Sequence, residues 1–162
     1  MRYAIVYSSK TGNTRQLAEV LRSCLPSDAC LYFGPPDPQA LKAQRIFIGF
    51  WTDKGSCDGE TAAFLKTLTH QEVFLFGTAG FGSDSAYFNR ILARVREQVP
   101  EQTAVLGGFL CQGKMPPAVR LRYEQMENPS QRQRMLDNFD SALSHPDQAD
   151  LDRLKAAVRS LD

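Results

Sequence analysis

The feature that most constrains this chain is an alternation. Short apolar runs with strand character are each followed by a longer segment of helical period. Strands are predicted at residues 3–7, 30–33, 45–50, 72–76 and 103–111. Helices are predicted at 13–23, 59–68 and 85–99, with Pro26 and Pro100 closing the first and third. Three further helical stretches follow, at 119–126, 131–143 and 149–161. Parallel strands need crossovers of this length, so the pattern predicts an α/β fold, a parallel sheet with helices on both faces. No repeat or low-complexity linker breaks the 162 residues, and residues 1–162 are read as one domain.

Composition removes several function classes. Hydrophobic content of 43% and charged content of 23% argue against disorder and against a membrane protein. The apolar run at residues 3–7 is too short for a signal sequence or a span, so a cytoplasmic location is expected. Net charge of +1 offers no bulk attraction to nucleic acid or an anionic membrane. Arg120, Arg122, Arg132 and Arg134 gather late but alternate with acids, as on an ordinary solvated helix face. Cys24, Cys30, Cys57 and Cys111 show no CxxC spacing, which predicts free thiols and no metal site. His70 and His145 read as ordinary loop or surface histidines.

In open parallel sheets ligands sit beyond the carboxyl ends of the strands. The first such end is Ser8-Ser9-Lys10-Thr11-Gly12-Asn13-Thr14, running straight into a helix. Small and hydroxyl residues at a helix N-terminus make an anion cradle of backbone N–H groups, hydroxyl donors and a favourable dipole. The loop lacks both GxxxxGK[ST] and GxGxxG. It has no CxxxxxR nucleophile either, so it predicts phosphate binding without phosphate chemistry. The third strand ends at Phe50-Trp51-Thr52-Asp53, with the chain's lone Trp. The fourth ends in Gly77-Thr78-Ala79-Gly80-Phe81-Gly82, whose glycines let backbone approach a flat ligand.

Ser9-Lys10-Thr11-Gly12-Asn13-Thr14 after an N-terminal strand resembles the [ST]-x-T-G-N-T loop of flavodoxins, and the later spacing matches as far as about Leu110. The resemblance implies a flavodoxin-like three-layer sandwich with a five-stranded parallel sheet in order 2-1-3-4-5, followed here by an extended helical C-terminus. It implies non-covalent FMN, with Ser9, Lys10, Thr11, Gly12, Asn13 and Thr14 around the phosphate. Phe50, Trp51, Thr52 and Asp53 would lie on one side of the ring, with Trp51 stacked on it. Gly77, Thr78, Ala79, Gly80, Phe81 and Gly82 would lie on the other, with Phe81 stacking and Tyr87 its alternative. Thr52 stands where the family often has Gly, which predicts weaker stabilisation of the half-reduced flavin.

The residues around Gly107–Pro117 and Ser144-His145-Pro146-Asp147 are similar to those of short flavodoxins from anaerobes, some of which accompany bilin (bilirubin) reductases. The implied role is low-potential electron transfer, because no obvious cationic partner awaits an anionic reduced ring. The implied partners are a reductase as donor and a reductase or dehydrogenase as acceptor, with the carrier a monomer and no catalytic residue of its own. A direct FMN oxidoreductase acting on a quinone or tetrapyrrole stays open, as does a flavin-free binding module. Cys111 and Lys114 either line a partner site or form a turn around a buried thiol. Cys57 falls near the Trp51 segment, with nothing to mark it as reactive.

Overall fold

The computed structural model describes residues 1–82 and 84–161. Strands β1 (Tyr3–Tyr7), β2 (Cys30–Gly34), β3 (Arg45–Asp53), β5 (Glu72–Ala79) and β6 (Ala104–Gln112) form a parallel sheet in spatial order β2-β1-β3-β5-β6. These are the five expected strands in the expected order, and the fold is flavodoxin-like. One strand is additional. β4 (Ser56–Cys57) folds back antiparallel on the end of β3, pairing Cys57 with Thr52 and Ser56 with Asp53.

Alternation along the strands sorts the core into two layers. Ile46, Ile48 and Phe50 of β3 pack with Phe64 and Leu65 of α2 (Gly59–Leu65) and with Ile91 and Val95 of α3 (Ser85–Arg96). Phe47, between them in sequence, points the other way with Phe74 and Phe76. There it meets Leu17, Ala18 and Leu21 of α1 (Asn13–Cys24) and Leu154 and Val158 of α6 (Gln148–Arg159). Each helix offers its sheet-facing stripe and leaves its polar side wet, as the 3.6-residue period requires.

Two strand ends run further than expected. Residues 51–53 continue β3 instead of starting a loop, because the β4 hairpin gives their backbone a ladder partner. Gly77, Thr78 and Ala79 continue β5, paired to Phe50 and Trp51 on one side and to Leu110, Cys111 and Gln112 on the other. A ladder closed on both sides holds these small residues extended despite their weak strand preference. Beyond β6, α4 (Pro117–Glu124) and α5 (Pro129–Ala142) pack on each other before α6 returns to the sheet.

Candidate functional site at the carboxyl ends of the strands

The turn from β1 into α1 is built to present donors. Gly12 is the N-cap residue with φ of 90°, and no side chain caps the helix. Among the described residues the N–H groups of Asn13 and Thr14, the first two of α1, have neither an intrahelical nor a capping partner. A Cβ at Gly12 would meet nothing within 4 Å, so glycine is there for its backbone conformation. The N–H groups of Gly12 and Arg15 converge on Ser9 Oγ, at 3.2 and 3.3 Å. Donors that converge on one oxygen at a helix N-terminus are suited to an anion. The rest of the loop is tied down. Asn13 Nδ2 donates to the Lys114 carbonyl at 2.8 Å, and Thr11 Oγ1 reaches the same oxygen at 3.5 Å. Thr14 is buried and donates to the Phe50 carbonyl at 3.1 Å, so it is a strut between α1 and β3.

Trp51 is fixed through its backbone. Its N–H donates to Asp58 Oδ1 at 3.3 Å, and its carbonyl accepts from the Asp58 N–H at 3.1 Å. Asp58 also caps α2 by accepting from the Thr61 N–H at 3.1 Å, so one carboxylate sets both the hairpin and the following helix. The Trp51 ring faces a cleft of about 150 Å³ lined also by Lys10, Thr11, Asn13, Thr52, Thr78, Ala79, Gly80, Lys114 and Met115. Lys10 Nζ lies 5.0 Å from the Trp51 ring centroid. Two buried polar atoms among the lining residues, Asn13 Oδ1 and Thr52 Oγ1, have no hydrogen-bond partner. Buried polar atoms are ordinarily paired, so two orphans in one cleft mark it as a place for a polar ligand.

The opposite wall comes from the C-terminal third. Asn138 of α5 donates through Nδ2 to the Gly80 carbonyl at 3.0 Å and accepts on Oδ1 from the Gly82 N–H at 3.3 Å. Gln112 Nε2 reaches the same Gly80 carbonyl at 3.2 Å and Asn138 Oδ1 at 3.3 Å. Met115 lies so close that a Cβ at Gly80 would stand 2.6 Å from its sulfur. Tyr123 of α4 packs against Phe81, ring centroids 6.4 Å apart, and its hydroxyl approaches Met115 Sδ at 3.8 Å. Gln112, Met115, Tyr123 and Asn138 were not foreseen. The GGFLCQGKMPP segment was a flag for the first two, but only the folded chain brings α5 to the Gly80 turn.

Of the residues singled out from sequence, Lys10, Thr11, Asn13, Trp51, Thr52, Thr78, Ala79 and Gly80 meet in this cleft. Ser9 and Gly12 border a neighbouring one of about 370 Å³ with Tyr7, Ser8, Arg15 and Glu60, where Ser8 Oγ donates to Glu60 Oε2 at 3.2 Å. Phe50 and Gly77 are buried in the sheet. Asp53 sits in the hairpin beyond the lining residues, and Phe81 is 37% exposed beside α4. Cys111 is buried in the core and, like Cys57, lines no cleft described among these residues.

Residues 4–159 match the flavodoxin domain family. The chain belongs to the flavodoxin family. It is 43% identical over 172 aligned residues to the flavodoxin-like domain-containing protein BilS of Clostridium symbiosum, covering 93% of this chain and 90% of that one. Among solved structures, a flavoprotein from Lactobacillus acidophilus in complex with FMN superposes with TM-score 0.53 at 15% identity, covering 67% of this chain and 92% of that one. Oxidised flavodoxin 2 of Bacillus cereus gives TM-score 0.52 at 15% identity over 87% and 99% of the two chains. Likeness at that identity concerns the fold. In this flavodoxin domain burial pushes the thiols of Cys57 and Cys111 up, with the Asp58 and Asp150 charges adding to it. Both are thereby less ionised near neutral pH than an ordinary cysteine.

Proposed function

We propose that this protein binds FMN without a covalent link and carries electrons between partner proteins. The observation that carries the reading is the convergence at one end of the sheet of a helix N-terminus with two free N–H groups, a clamped tryptophan and two buried polar atoms unpaired among the described residues. Their chemistry fits the group. The N–H groups and hydroxyls around Ser9, Thr11 and Gly12 suit a phosphate. The Trp51 ring suits an aromatic face, and Asn13 Oδ1 and Thr52 Oγ1 offer an acceptor and a hydroxyl to polar edges. Lys10 and Met115 now lie over Trp51 and Gly80. Both are unbranched side chains with several staggered rotamers, and they are the groups that must turn aside to admit a ring. The relatives support the same reading, since one of the structural neighbours holds FMN.

FMN supplies one- and two-electron chemistry, and this chain's residues bind it, orient it and keep water from it. Ser9, Lys10, Thr11, Gly12 and Asn13 hold the phosphate end. Trp51, Thr52, Ala79 and Gly80 border the ring, and Thr14, Phe50, Asp53, Gly77, Thr78, Phe81 and Gly82 hold those segments in place. With both thiols raised by burial, the protein adds no acid, base or nucleophile. Phe81 and Leu121, exposed at 37% and 61%, lie on the segments flanking the cleft and offer the small apolar contact typical of transient redox encounters. The acceptor is a reductase or dehydrogenase, and the resemblance of residues 107–117 and 144–147 to short flavodoxins that accompany bilin reductases favours one of the bilin-reducing class.

Anaerobic dithionite titration followed in the visible tests this reading. Bands of bound FMN that bleach in one or two steps are expected, and a colourless protein that takes up no added FMN overturns it. The helical segment beyond β6, which sets Tyr123 against Phe81 and Asn138 on the Gly80 turn, favours a second reading, an FMN oxidoreductase acting directly on a small acceptor. Steady NAD(P)H oxidation with such an acceptor and no added reductase separates the two.

A further inference from the structure

We propose that Lys10 and Lys114 set the redox poise of this site by placing positive charge beside the ring in its reduced, anionic form. The inference rests on the FMN reading above and departs from the sequence expectation of a strongly reducing site with no cation near the ring.

Both lysines are among the residues lining the Trp51 cleft. Lys10 Nζ stands 5.0 Å from the Trp51 ring centroid, so its ammonium reaches the cleft and turns to the edge of a ring stacked on Trp51. Lys114 is held by its backbone on the other side of the cleft. Its N–H donates to the His145 carbonyl at 3.0 Å, and its own carbonyl accepts from Asn13 Nδ2 at 2.8 Å. Among the described residues no carboxylate lines this cleft, and neither lysine makes an ion pair. No described residue therefore neutralises the two charges by an ion pair.

Uptake of two electrons from a donor such as dithionite and one proton from water leaves the ring with one negative charge. A cation lining the cleft favours that form over the neutral oxidised ring, to a degree limited by the solvent exposure of both side chains. Because both lysines also attract the phosphate, which keeps its charge in both states, their specific effect lies in the ratio of the two affinities. A larger preference for reduced FMN is a higher midpoint potential.

The test is the two-electron midpoint of the FMN-loaded protein against a dye of known potential, read together with the dissociation constant of oxidised FMN. In Lys10→Met with Lys114→Met, the preference for reduced over oxidised FMN falls about tenfold, a drop of about 30 mV for a two-electron couple. Lys10→Arg keeps the wild-type midpoint. Lys66→Met, at the end of α2 and outside the cleft, leaves it unchanged. An equal loss of affinity in both oxidation states, with the midpoint unmoved, overturns the inference while leaving FMN binding intact. Wild-type protein that takes up no FMN in either state overturns the FMN reading and the inference with it.

Discussion

Thr52 carries a hydroxyl that the protein buries and leaves without a partner. Such a group costs stability unless something else uses it. Thr52→Val keeps the shape and removes the orphan, so unliganded protein should be as stable as wild type or slightly more so in urea denaturation. FMN affinity should fall by about 1 kcal/mol, roughly fivefold, because the ligand loses one hydrogen bond. Asn138 is the opposite case, a side chain bonded at both ends of the Gly80 turn. Asn138→Ala should cost about 1–3 kcal/mol in urea denaturation and also weaken FMN binding, because the turn then loses its fixed position. The difference between these residues marks what could be read in advance. Trp51 and Thr52 lie in the last residues of β3 and Lys10 just beyond β1, and the end of an apolar run is legible from sequence alone. Asn138 lies 58 residues from Gly80, and nothing local records their meeting.

At the scale of elements, periodicity located all five long strands and all six helices, and it misplaced ends where pairing decided them. β4 has only two residues, too few to leave a pattern, yet it turns the expected Trp51 loop into a hairpin. The turn is Asp53-Lys54-Gly55-Ser56, with φ of 53° at Lys54 and 82° at Gly55. Two positive φ values in a two-residue hairpin loop define a type I′ turn, for which Asn-Gly is the favoured pair and lysine a poor first residue. Lys54→Asn should raise the urea midpoint by the equivalent of about 0.5–1 kcal/mol and leave the spectrum of bound FMN unchanged. A loss of stability would mean that the lysine side chain, not the turn, holds the hairpin. The α4–α5 pair was legible as helices but not as a wall. α4 buries none of its residues, so its sequence lacks the apolar stripe that tells where a helix packs.

Across the whole molecule the charges nearly cancel, and its pH dependence comes from a few groups that the fold buries or caps. Tyr3 is pushed up to about 12, first by burial and then by Cys30. The thiols of Cys57 and Cys111 are raised too, mainly by burial. Asp147 is held below the usual carboxylate range, first by the N–H of Asp150 in the cap of α6. A carboxyl lowered in the folded state stabilises above its unfolded value, so that contribution disappears as pH falls below about 4. A thiol or phenol raised in the folded state works at the other end. Above about pH 8.5 the unfolded chain releases protons that the folded chain retains, and stability falls with rising pH at up to about 1.4 kcal/mol per pH unit for each group. The urea midpoint should therefore decline from about pH 9, with Tyr3 extending the decline toward pH 12. Cys111→Ala should start lower at pH 7, since it leaves a small void in the core beneath β6. It should then decline less steeply between pH 9 and 10, because one retained proton is gone. A variant whose slope matches wild type there would mean that the Cys111 thiol ionises as readily folded as unfolded, against its burial in the core.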